Sequence, residues 1–443
     1  MSHDLRPRFL EVHLHGMLCG YLCEVNQSCR FVPSEAYRGD TDRPTLSLSL
    51  TVPGNPDITS AILDNPFNPA VFNVQGNLPP YFAGLLPESE LRRRLENTRA
   101  NPEDRDDFGI LAAAGEDLPG ALSVLPADLH ALPDYARTVG VTGGADNLEI
   151  AVIEGAAEGA ASVSGVQNKL ALSTVQHGLR YTLPMHGSLS DLIAKLPTRH
   201  DDSQIFNEYV AMQLAKAAGV TVAACTPRPL SAIALPGLEE SLGNGLQFLA
   251  VERFDREPGG RVHAEDGCQL LTRMPARKYG DDMAFVQLLA VLFQLGARGI
   301  EDVRQFFIRQ AVNTLIGNSD AHLKNFSFIY RNGKIPELSP AYDIVCVAAL
   351  PGFAGFGQNV AIDRAQRQQT LDTYRAIAVR AGVPHLIARA AVKQTVALAQ
   401  ELWPALLDTL PTPPRMKNVI LERLKNLPLA QAHLIGTRRQ TIR

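Results

Sequence analysis

An acid, an imidazole, a cation and an amide lie within residues 318–325, which read NSDAHLKN. Asp320 and Asn325 have the D-x-x-x-x-N spacing with which a protein-kinase catalytic loop presents its general base and a magnesium ligand. The same residue types are common in turns, where they bond their own backbone, so an ordinary turn is the alternative interpretation. The chemistry that the spacing indicates is phosphoryl transfer.

A second metal ligand is expected downstream of Asn325. The chain alternates over residues 326–330, turns at Asn332 and Gly333, and then extends to Asp343. This pattern predicts a β-hairpin that folds Asp343 back beside Asn325. The oxygens of this pair are suited to hold Mg²⁺ against a triphosphate.

Lys195 is the most informative cation outside this cluster. It lies in the apolar strand pattern of residues 192–197, where a lysine is rarely left without a partner. Glu208 follows 13 residues later on a predicted helix, for which Ser203 is the expected N-cap. The alternative is an edge-strand lysine that points to solvent.

Two further segments complete the parts that a phosphotransferase needs. Residues 162–169 combine small and polar side chains at a strand entry, so their amides are suited to phosphate oxygens, although an ordinary strand entry fits as well. The strand pattern of residues 248–255 would present backbone groups of Glu252 and Phe254 to an adenine edge. Arg253 and Asp255 could equally form a structural ion pair.

These segments need elements to position them. Residues 9–52 alternate apolar and polar side chains and predict a small antiparallel β unit. Helical patterns follow Pro87 and Asp107, and the Pro-, Gly- and Ala-rich stretch 126–161 indicates a connector. Beyond residue 257 the chain is predicted to be mostly helical apart from the hairpin.

Length and charge bound the class of protein. At 443 residues the chain should form two or three packed units. The formal net charge of −4 gives no strong electrostatic footprint for nucleic acid. No apolar run reaches the ~20 residues that span a bilayer, and the first residues lack the apolar core of a signal peptide. A soluble cytoplasmic protein is therefore expected.

The six cysteines indicate reduced, structural thiols rather than a disulfide framework. Cys19, Cys23 and Cys29 lie near two histidines, but their C-x₃-C-x₅-C spacing lacks the paired short knuckles of zinc sites. The sequence contains no H-E-x-x-H, G-x-S-x-G or P-loop motif, which removes the corresponding protease, hydrolase and NTPase interpretations.

Seven motifs in order carry a family resemblance: VSGVQNKLAL, IAKLP, FNEYVAMQLAKAAG, AVERFDR, HAEDGCQLL, GNSDAHLKNFSFIY and LSPAYDIV. They resemble the HipA family of bacterial serine/threonine kinases, the toxins of HipA-HipB toxin-antitoxin modules. The segments LSLSL and LLPES resemble the family's first subdomain, so nearly the whole chain is covered.

The resemblance implies an α+β, two-lobed protein-kinase-like fold. The expected units are an N-terminal β subdomain with helices (1–125), the remainder of the β-rich N-terminal lobe with the nucleotide loop and the Lys195 strand (126–256), and a mostly helical C-terminal lobe with the catalytic loop (257–443).

The resemblance also implies a role for each motif residue. Asp320 is the expected catalytic base, and Asn325 and Asp343 are the expected magnesium ligands. Ser162 matches the loop serine that family members autophosphorylate, which ejects the loop and inactivates the kinase. The residues expected at the nucleotide are Ser164, Gly165, Val166, Gln167, Asn168, Lys169, Lys195, Glu252, Arg253, Phe254, His322, Leu323, Lys324, Asn325, Tyr342 and Asp343.

The implied cofactors are ATP and Mg²⁺. The implied partners are a HipB-like helix-turn-helix antitoxin, operator DNA mainly through that antitoxin, and a protein substrate, commonly an aminoacyl-tRNA synthetase such as the glutamyl enzyme; no membrane is involved. Ser164 stands where alanine is common, and the PGFAGFG loop after Asp343 has its own glycine pattern, which bears on the choice of target.

Two other functions are open. One is a catalytically idle corepressor that strengthens operator binding by its antitoxin, although the intact set of Lys195, Asp320, Asn325 and Asp343 argues against it. The other is a small-molecule phosphotransferase with a related D-x-x-x-x-N loop. The long N-terminal β unit favours the HipA-like function over the latter.

Overall fold

The computed structural model describes residues 6–137, 151–157, 160, 168–185, 187–281 and 283–431, apart from the side chains of residues 89, 90 and 177. Five residues of the predicted nucleotide and autophosphorylation loop lie outside these ranges: Ser162, Ser164, Gly165, Val166 and Gln167.

An antiparallel five-stranded sheet in the order β4-β3-β2-β1-β5 forms the N-terminal part. One face of the sheet is buried, because the alternating residues Leu10, Val12 and Leu14 join its apolar core. The strands are β1 (Arg8–Leu14), β2 (Met17–Val25), β3 (Ser28–Pro33), β4 (Phe72–Asn73) and β5 (Leu122–Pro126). The helices are α1 (Glu35–Gly39), α2 (Pro56–Leu63), α3 (Pro80–Ala83), α4 (Ser89–Thr98), α5 (Asp107–Ala114) and α6 (Asp134–Arg137).

The prediction of strand structure is wrong for residues 45–52. There the backbone turns, since the amides of Leu50 and Thr51 donate to the carbonyl of Ser47 at 3.0 and 2.8 Å. The Ser47 hydroxyl and the Leu48 amide donate to the buried carboxylate of Glu265, at 2.5 and 3.0 Å. The alternating pattern is compatible with a strand, but these buried partners satisfy the polar groups without one. The segment thereby joins the N-terminal part to the C-terminal part.

A second five-stranded sheet follows, in the order β7-β6-β8-β10-β9. Its strands are β6 (Lys169–Val175), β7 (Arg180–Thr182), β8 (Leu192–Lys195), β9 (Cys225–Pro229) and β10 (Gln247–Glu252), and its helices are α7 (Ser203–Ala217) and α8 (Leu238–Leu242). Asp202 rather than the predicted Ser203 occupies the N-cap position of α7, because Asp201 accepts the Ser203 amide and hydroxyl. The last strand ends at Glu252, not at the predicted residue 255.

The C-terminal part is mostly helical. Two short strands pair as β11 (Arg256–Glu257) and β12 (Gly260–Arg261), and β13 (His263–Asp266), β14 (Ser327–Tyr330) and β15 (Glu337–Leu338) form a three-stranded sheet. The helices are α9 (Gly267–Leu270), α10 (Ala284–Leu295), α11 (Ile300–Ile316), α12 (Gly357–Gln366), α13 (Leu371–Arg380), α14 (His385–Thr409), α15 (Pro414–Asn426) and α16 (Pro428–Gln431). The predicted hairpin is confirmed as β14 and β15.

Helix α7 packs on this helical part as well as on its own sheet. Its residues Ile205, Val210 and Leu214 belong to the largest apolar core, together with Trp403 of α14. The Trp403 indole donates to the Leu214 carbonyl at 2.9 Å. The helix that carries Glu208 is thus fixed to both halves of the molecule.

The thiols are free, and most of them are buried. The Cys19 and Cys23 sulfurs each lie 3.7 Å from a backbone carbonyl oxygen, and burial raises the pKa of Cys19 to about 12. Among the residues with a described position, no helix has both the length and the apolar composition needed to cross a membrane. The division of the chain at residues 126 and 257 stays a prediction.

Candidate active site

A continuous cleft between the second sheet and the C-terminal part contains most of the predicted site residues. One end, here called the hinge end, is lined by the segment 252–255 together with Lys195 and Asn325. The other, here called the Asp320 end, is lined by Asp320, Asn168 and Glu208. Four residues line both ends: Lys169, Lys278, His322 and Asp343.

Lys195, on β8, is held between two carboxylates. Its Nζ donates to Glu208 Oε1 of α7 and to Asp343 Oδ1, each at 2.5 Å. Burial alone would lower the pKa of the ammonium, but the two carboxylates outweigh it and raise the pKa. The same lysine, with Lys169 on the paired strand β6, keeps the pKa of Asp343 well below its usual range despite burial. The predicted pairing of Lys195 with Glu208 is confirmed.

Tyr342 connects Asp343 to the segment that carries Asn325. Its hydroxyl donates to the Lys324 carbonyl at 2.6 Å and lies 2.6 Å from the Ser327 hydroxyl. Asp343 itself has a left-handed backbone with φ of 58°, a region that few non-glycine residues adopt. The hairpin and this bonding therefore bring Asn325 and Asp343 into one end of the cleft, as predicted.

Asp320 follows α11, which ends at the left-handed Gly317. Its Oδ1 accepts the Tyr279 hydroxyl at 2.5 Å and the Asn359 amide at 3.3 Å. The side-chain amide of Asn325 donates to the Asp320 carbonyl at 3.1 Å. The bonds from Tyr279 and Asn359 fix the carboxylate, and the bond from Asn325 ties the Asp320 backbone to the predicted metal ligand.

His322 and Lys324 differ in protonation. Burial and the nearby Lys278 lower the pKa of His322 to about 4, so its imidazole is neutral at pH 7. Its Nδ1 is buried and has no hydrogen-bond partner within the described part of the chain. Lys324 donates to Glu88 Oε1 at 2.8 Å; although burial opposes it, the Asp266 and Glu88 carboxylates raise the pKa of Lys324.

The segment 252–255, here called the hinge, is rigidly supported. The Arg253 guanidinium donates to Asp255 at 3.0 and 2.8 Å, to the Ser190 hydroxyl at 2.7 Å and to Asp117 of the N-terminal part at 3.2 Å. The side chain of Arg253 thus forms the structural ion pair that the sequence left open. Glu252 and Phe254 line the cleft on either side of it, and Phe254 packs against the Tyr342 ring with centroids 5.5 Å apart.

One predicted contact residue does not line the cleft. The side chain of Leu323 lies in the C-terminal apolar core, fully buried, because its short 3₁₀ segment turns the leucine inward while Lys324 and Asn325 face the cleft. Leu323 contributes its amide to the Lys278 carbonyl at 2.9 Å.

Sequence reasoning missed several polar residues of the cleft, among them Glu88, Lys278, Tyr279 and Asn359. Glu88 occupies the N-cap of α4 but makes no capping bond through its side chain, which reaches Lys324 instead. The LLPES motif was the available signal for Glu88. No spacing rule links the other three to Asp320, since they come from separate segments of the C-terminal part.

The residues at the hinge end fit a nucleoside triphosphate with Mg²⁺. Ile193, Ala223 and Val251 provide an apolar seat for a base. Lys169 and Lys195 would supply positive charge to its phosphates. The ionised Asp343 carboxylate and the Asn325 amide oxygen are the hard oxygen ligands that Mg²⁺ prefers.

The chain is a two-lobed, kinase-like α+β protein. Its N-terminal half is rich in β-strands, its C-terminal half is helical, and a lysine–glutamate pair lies at the cleft between them. A crystal structure of HipA, HipB and their operator DNA from Shewanella oneidensis has the same fold: the TM-score is 0.63 at 20% identity, over 97% of this chain and 99% of that one.

Sequence comparisons identify the family. The family model of the HipA N-terminal domain matches residues 10–125, and that of the HipA-like C-terminal domain matches residues 161–403. Y4dM of Sinorhizobium fredii is 32% identical over 93% of this chain and 95% of its own. The serine/threonine-protein kinase toxin HipA of Shewanella oneidensis is 27% identical over 76% of this chain and 75% of its own. The chain belongs to the HipA family.

Proposed function

We propose that this chain is an ATP- and Mg²⁺-dependent serine/threonine-protein kinase and the toxin of a toxin-antitoxin module. It transfers the γ-phosphoryl group of ATP to a serine of a protein, an aminoacyl-tRNA synthetase by the family resemblance, and to its own Ser162. It acts in the cytoplasm and represses its operon together with a HipB-like helix-turn-helix antitoxin, which makes the contacts to operator DNA.

The observation that carries this proposal is the arrangement around Asp343. Lys195, Glu208 and Asp343 form one bonded set, with Lys195 2.5 Å from each carboxylate, and Asp320 lies at the other end of the same cleft. A kinase needs this combination of phosphate cation, metal ligand and base. A pure scaffold has no physical need to bury a lysine between two acids, because desolvation makes such a set costly.

Each group has one task in the transfer. Asp320, held by Tyr279 and Asn359, takes the proton of the serine hydroxyl. The serine oxygen then bonds to the γ-phosphorus, while the bond between this phosphorus and the bridging oxygen breaks and ADP leaves. Lys195 and Lys169 compensate phosphate charge. Asn325 and Asp343 would hold Mg²⁺, which would supply positive charge to the triphosphate.

The direct test is incubation of the protein with labelled ATP, Mg²⁺ and host lysate, followed by identification of the labelled proteins. We expect label on serine residues of one or a few proteins. No protein should be labelled when EDTA is present. If no protein were labelled although the chain still bound ATP, the result would favour the corepressor function. Label on a small molecule alone would favour the small-molecule phosphotransferase.

Expression of this chain alone is expected to arrest growth, and co-expression of a small DNA-binding protein encoded beside it should relieve the arrest. The reason is that the antitoxin of such a module sequesters an active kinase. Colony counts after induction measure the effect, with Asp320→Asn as the matched inactive control. Normal growth with soluble, ATP-binding protein would contradict the toxin assignment.

Autophosphorylation is expected at Ser162. A phosphate adds about −1.5 to −2 charge, which beside a site for triphosphate should repel the nucleotide and lower ATP affinity. Mass spectrometry after incubation with ATP and Mg²⁺ should find the phosphate, and Ser162→Ala should remove it. Ser188→Ala, at an exposed serine before β8, is the control.

Phosphate on other residues only, or unchanged ATP affinity in the phosphorylated protein, would contradict this switch. Neither result would affect the assignment of the kinase, because transfer to a separate protein does not require Ser162.

A further inference from the structure

The chain segment after Asp343 brings an apolar surface to the Asp320 end of the cleft. Four side chains of this surface line the cleft and are here called the apolar wall: Val345, Val347, Leu350 and Phe356. One of them, Phe356, belongs to the PGFAGFG loop, the segment whose sequence departs from the family pattern. The proposed transfer gives these side chains no role.

The wall has a fixed position relative to Asp320. Phe356 occupies the N-cap of α12, and its carbonyl accepts the Val360 amide at 2.9 Å. One residue before Val360, Asn359 donates to the Asp320 carboxylate and to the Ser319 carbonyl, each at 3.3 Å. Any residue that places a hydroxyl on Asp320 therefore has neighbours close to the wall.

Exposure within the wall is uneven. Val347 is only 4% exposed, whereas Phe356 is 41% exposed at the rim of the cleft. Covering exposed apolar area of this kind with a bound residue is favourable, because the area is removed from water. No charged side chain belongs to the wall. The charged groups at this end that we can describe are Lys169, Glu208, Lys278, Asp320, His322 when protonated, and Asp343.

We propose that the apolar wall binds the residue next to the phosphorylated serine, so that the chain selects serines with an apolar neighbour in an extended protein segment. The inference rests on the proposed kinase function, since Asp320 defines where the hydroxyl must lie. Consecutive Cα atoms are 3.8 Å apart, and Asp320 and the wall line the same end of the cleft, so the neighbouring residue enters that end together with the serine.

The sequence of the chain itself agrees with this selectivity. Ser162, the proposed site of autophosphorylation, lies between Ala161 and Val163. A charged neighbour would lose hydration against the wall without gaining a partner there, which disfavours it.

The test uses synthetic peptides of residues 156–168 in which Ser164 is replaced by alanine, so that Ser162 is the single acceptor. The variants are Val163→Leu, Val163→Lys, and Val163→Lys combined with Ala161→Lys. With labelled ATP and Mg²⁺, the leucine peptide should match the parent in kcat/KM. The lysine peptides should fall by about 10-fold or more, as for other losses of an apolar contact.

Enzyme variants connect this preference to the wall. Phe356→Ala should lower the ratio of kcat/KM for the leucine peptide to kcat/KM for the lysine peptide, and it should leave the KM for ATP unchanged. Phe356→Leu should keep the ratio of the wild type. Val379→Ala, at a 59% exposed valine of α13 outside the cleft lining, is the matched control.

Equal kcat/KM for the leucine and lysine peptides, or an unchanged ratio of these two values in Phe356→Ala, would overturn the inference about the wall. Label on the chain itself but not on the parent peptide would do the same. The proposed kinase function would still stand. A failure to label any peptide, any lysate protein and the chain itself would overturn the proposed kinase function as well.

Discussion

Asp320→Asn is expected to lower kcat by about 10²–10⁴-fold, the usual contribution of a general base. The amide cannot accept the proton of the serine hydroxyl. Its oxygen can still accept both bonds that hold the carboxylate, because Tyr279 and Asn359 donate to the same oxygen, Oδ1. The shape of the site should therefore survive, and ATP affinity should stay near that of the wild type.

Single-turnover transfer and calorimetric titration with ATP measure the two quantities. Asp372→Asn, at an exposed aspartate in the first turn of α13, is the matched control and should change neither. If Asp320→Asn kept wild-type turnover, the assignment of the base would be wrong. A parallel loss of ATP affinity would point to a disturbed site rather than a missing base.

Asp343→Ala is expected to remove most of the gain in ATP affinity that Mg²⁺ provides. Hydrogen bonds and contacts to a charged group contribute about 1.5–3 kcal/mol, so the loss should be about 10- to 150-fold with Mg²⁺. Without the metal the loss should be small, since Lys195 keeps Glu208 as its partner at 2.5 Å.

Calorimetry with Mg²⁺ and with EDTA separates these cases. Asp408→Ala, at an exposed carboxylate of α14, controls for a general loss of negative charge. Equal losses of affinity under both conditions would show that Asp343 has a structural role, or that the variant is misfolded. Unchanged Mg²⁺-dependence would remove Asp343 from the metal site.

Local patterns were sufficient for the parts of the cleft that come from one segment each. The β14–β15 hairpin could be predicted because alternation and an Asn-Gly turn are local signals. The Lys195–Glu208 pair could be predicted because a lysine in an apolar strand requires an acid, and the next helix offers one. The residues of the loop at 162–167 stay predictions.

Long-range partners explain what the sequence could not predict. Residues 45–52 alternate like a strand, but the Glu265 carboxylate, more than 200 residues away, bonds their polar groups in a turn. Tyr279 and Asn359 reach Asp320 from separate segments, which no spacing in the sequence records. Arg253 could not be assigned either, because Asp117 and Ser190, two of its partners, are distant in sequence.

Glu88 gives the N-terminal part a direct contact with the proposed nucleotide site, through the 2.8 Å bond to Lys324 next to Asn325. Free-energy linkage between two sites is reciprocal. A protein that binds the N-terminal part and moves Glu88 will change ATP affinity by some factor, and ATP will change the affinity of that protein by the same factor. Occupancy of the proposed nucleotide site would thus be linked to the strength of any association at the N-terminal part that moves Glu88.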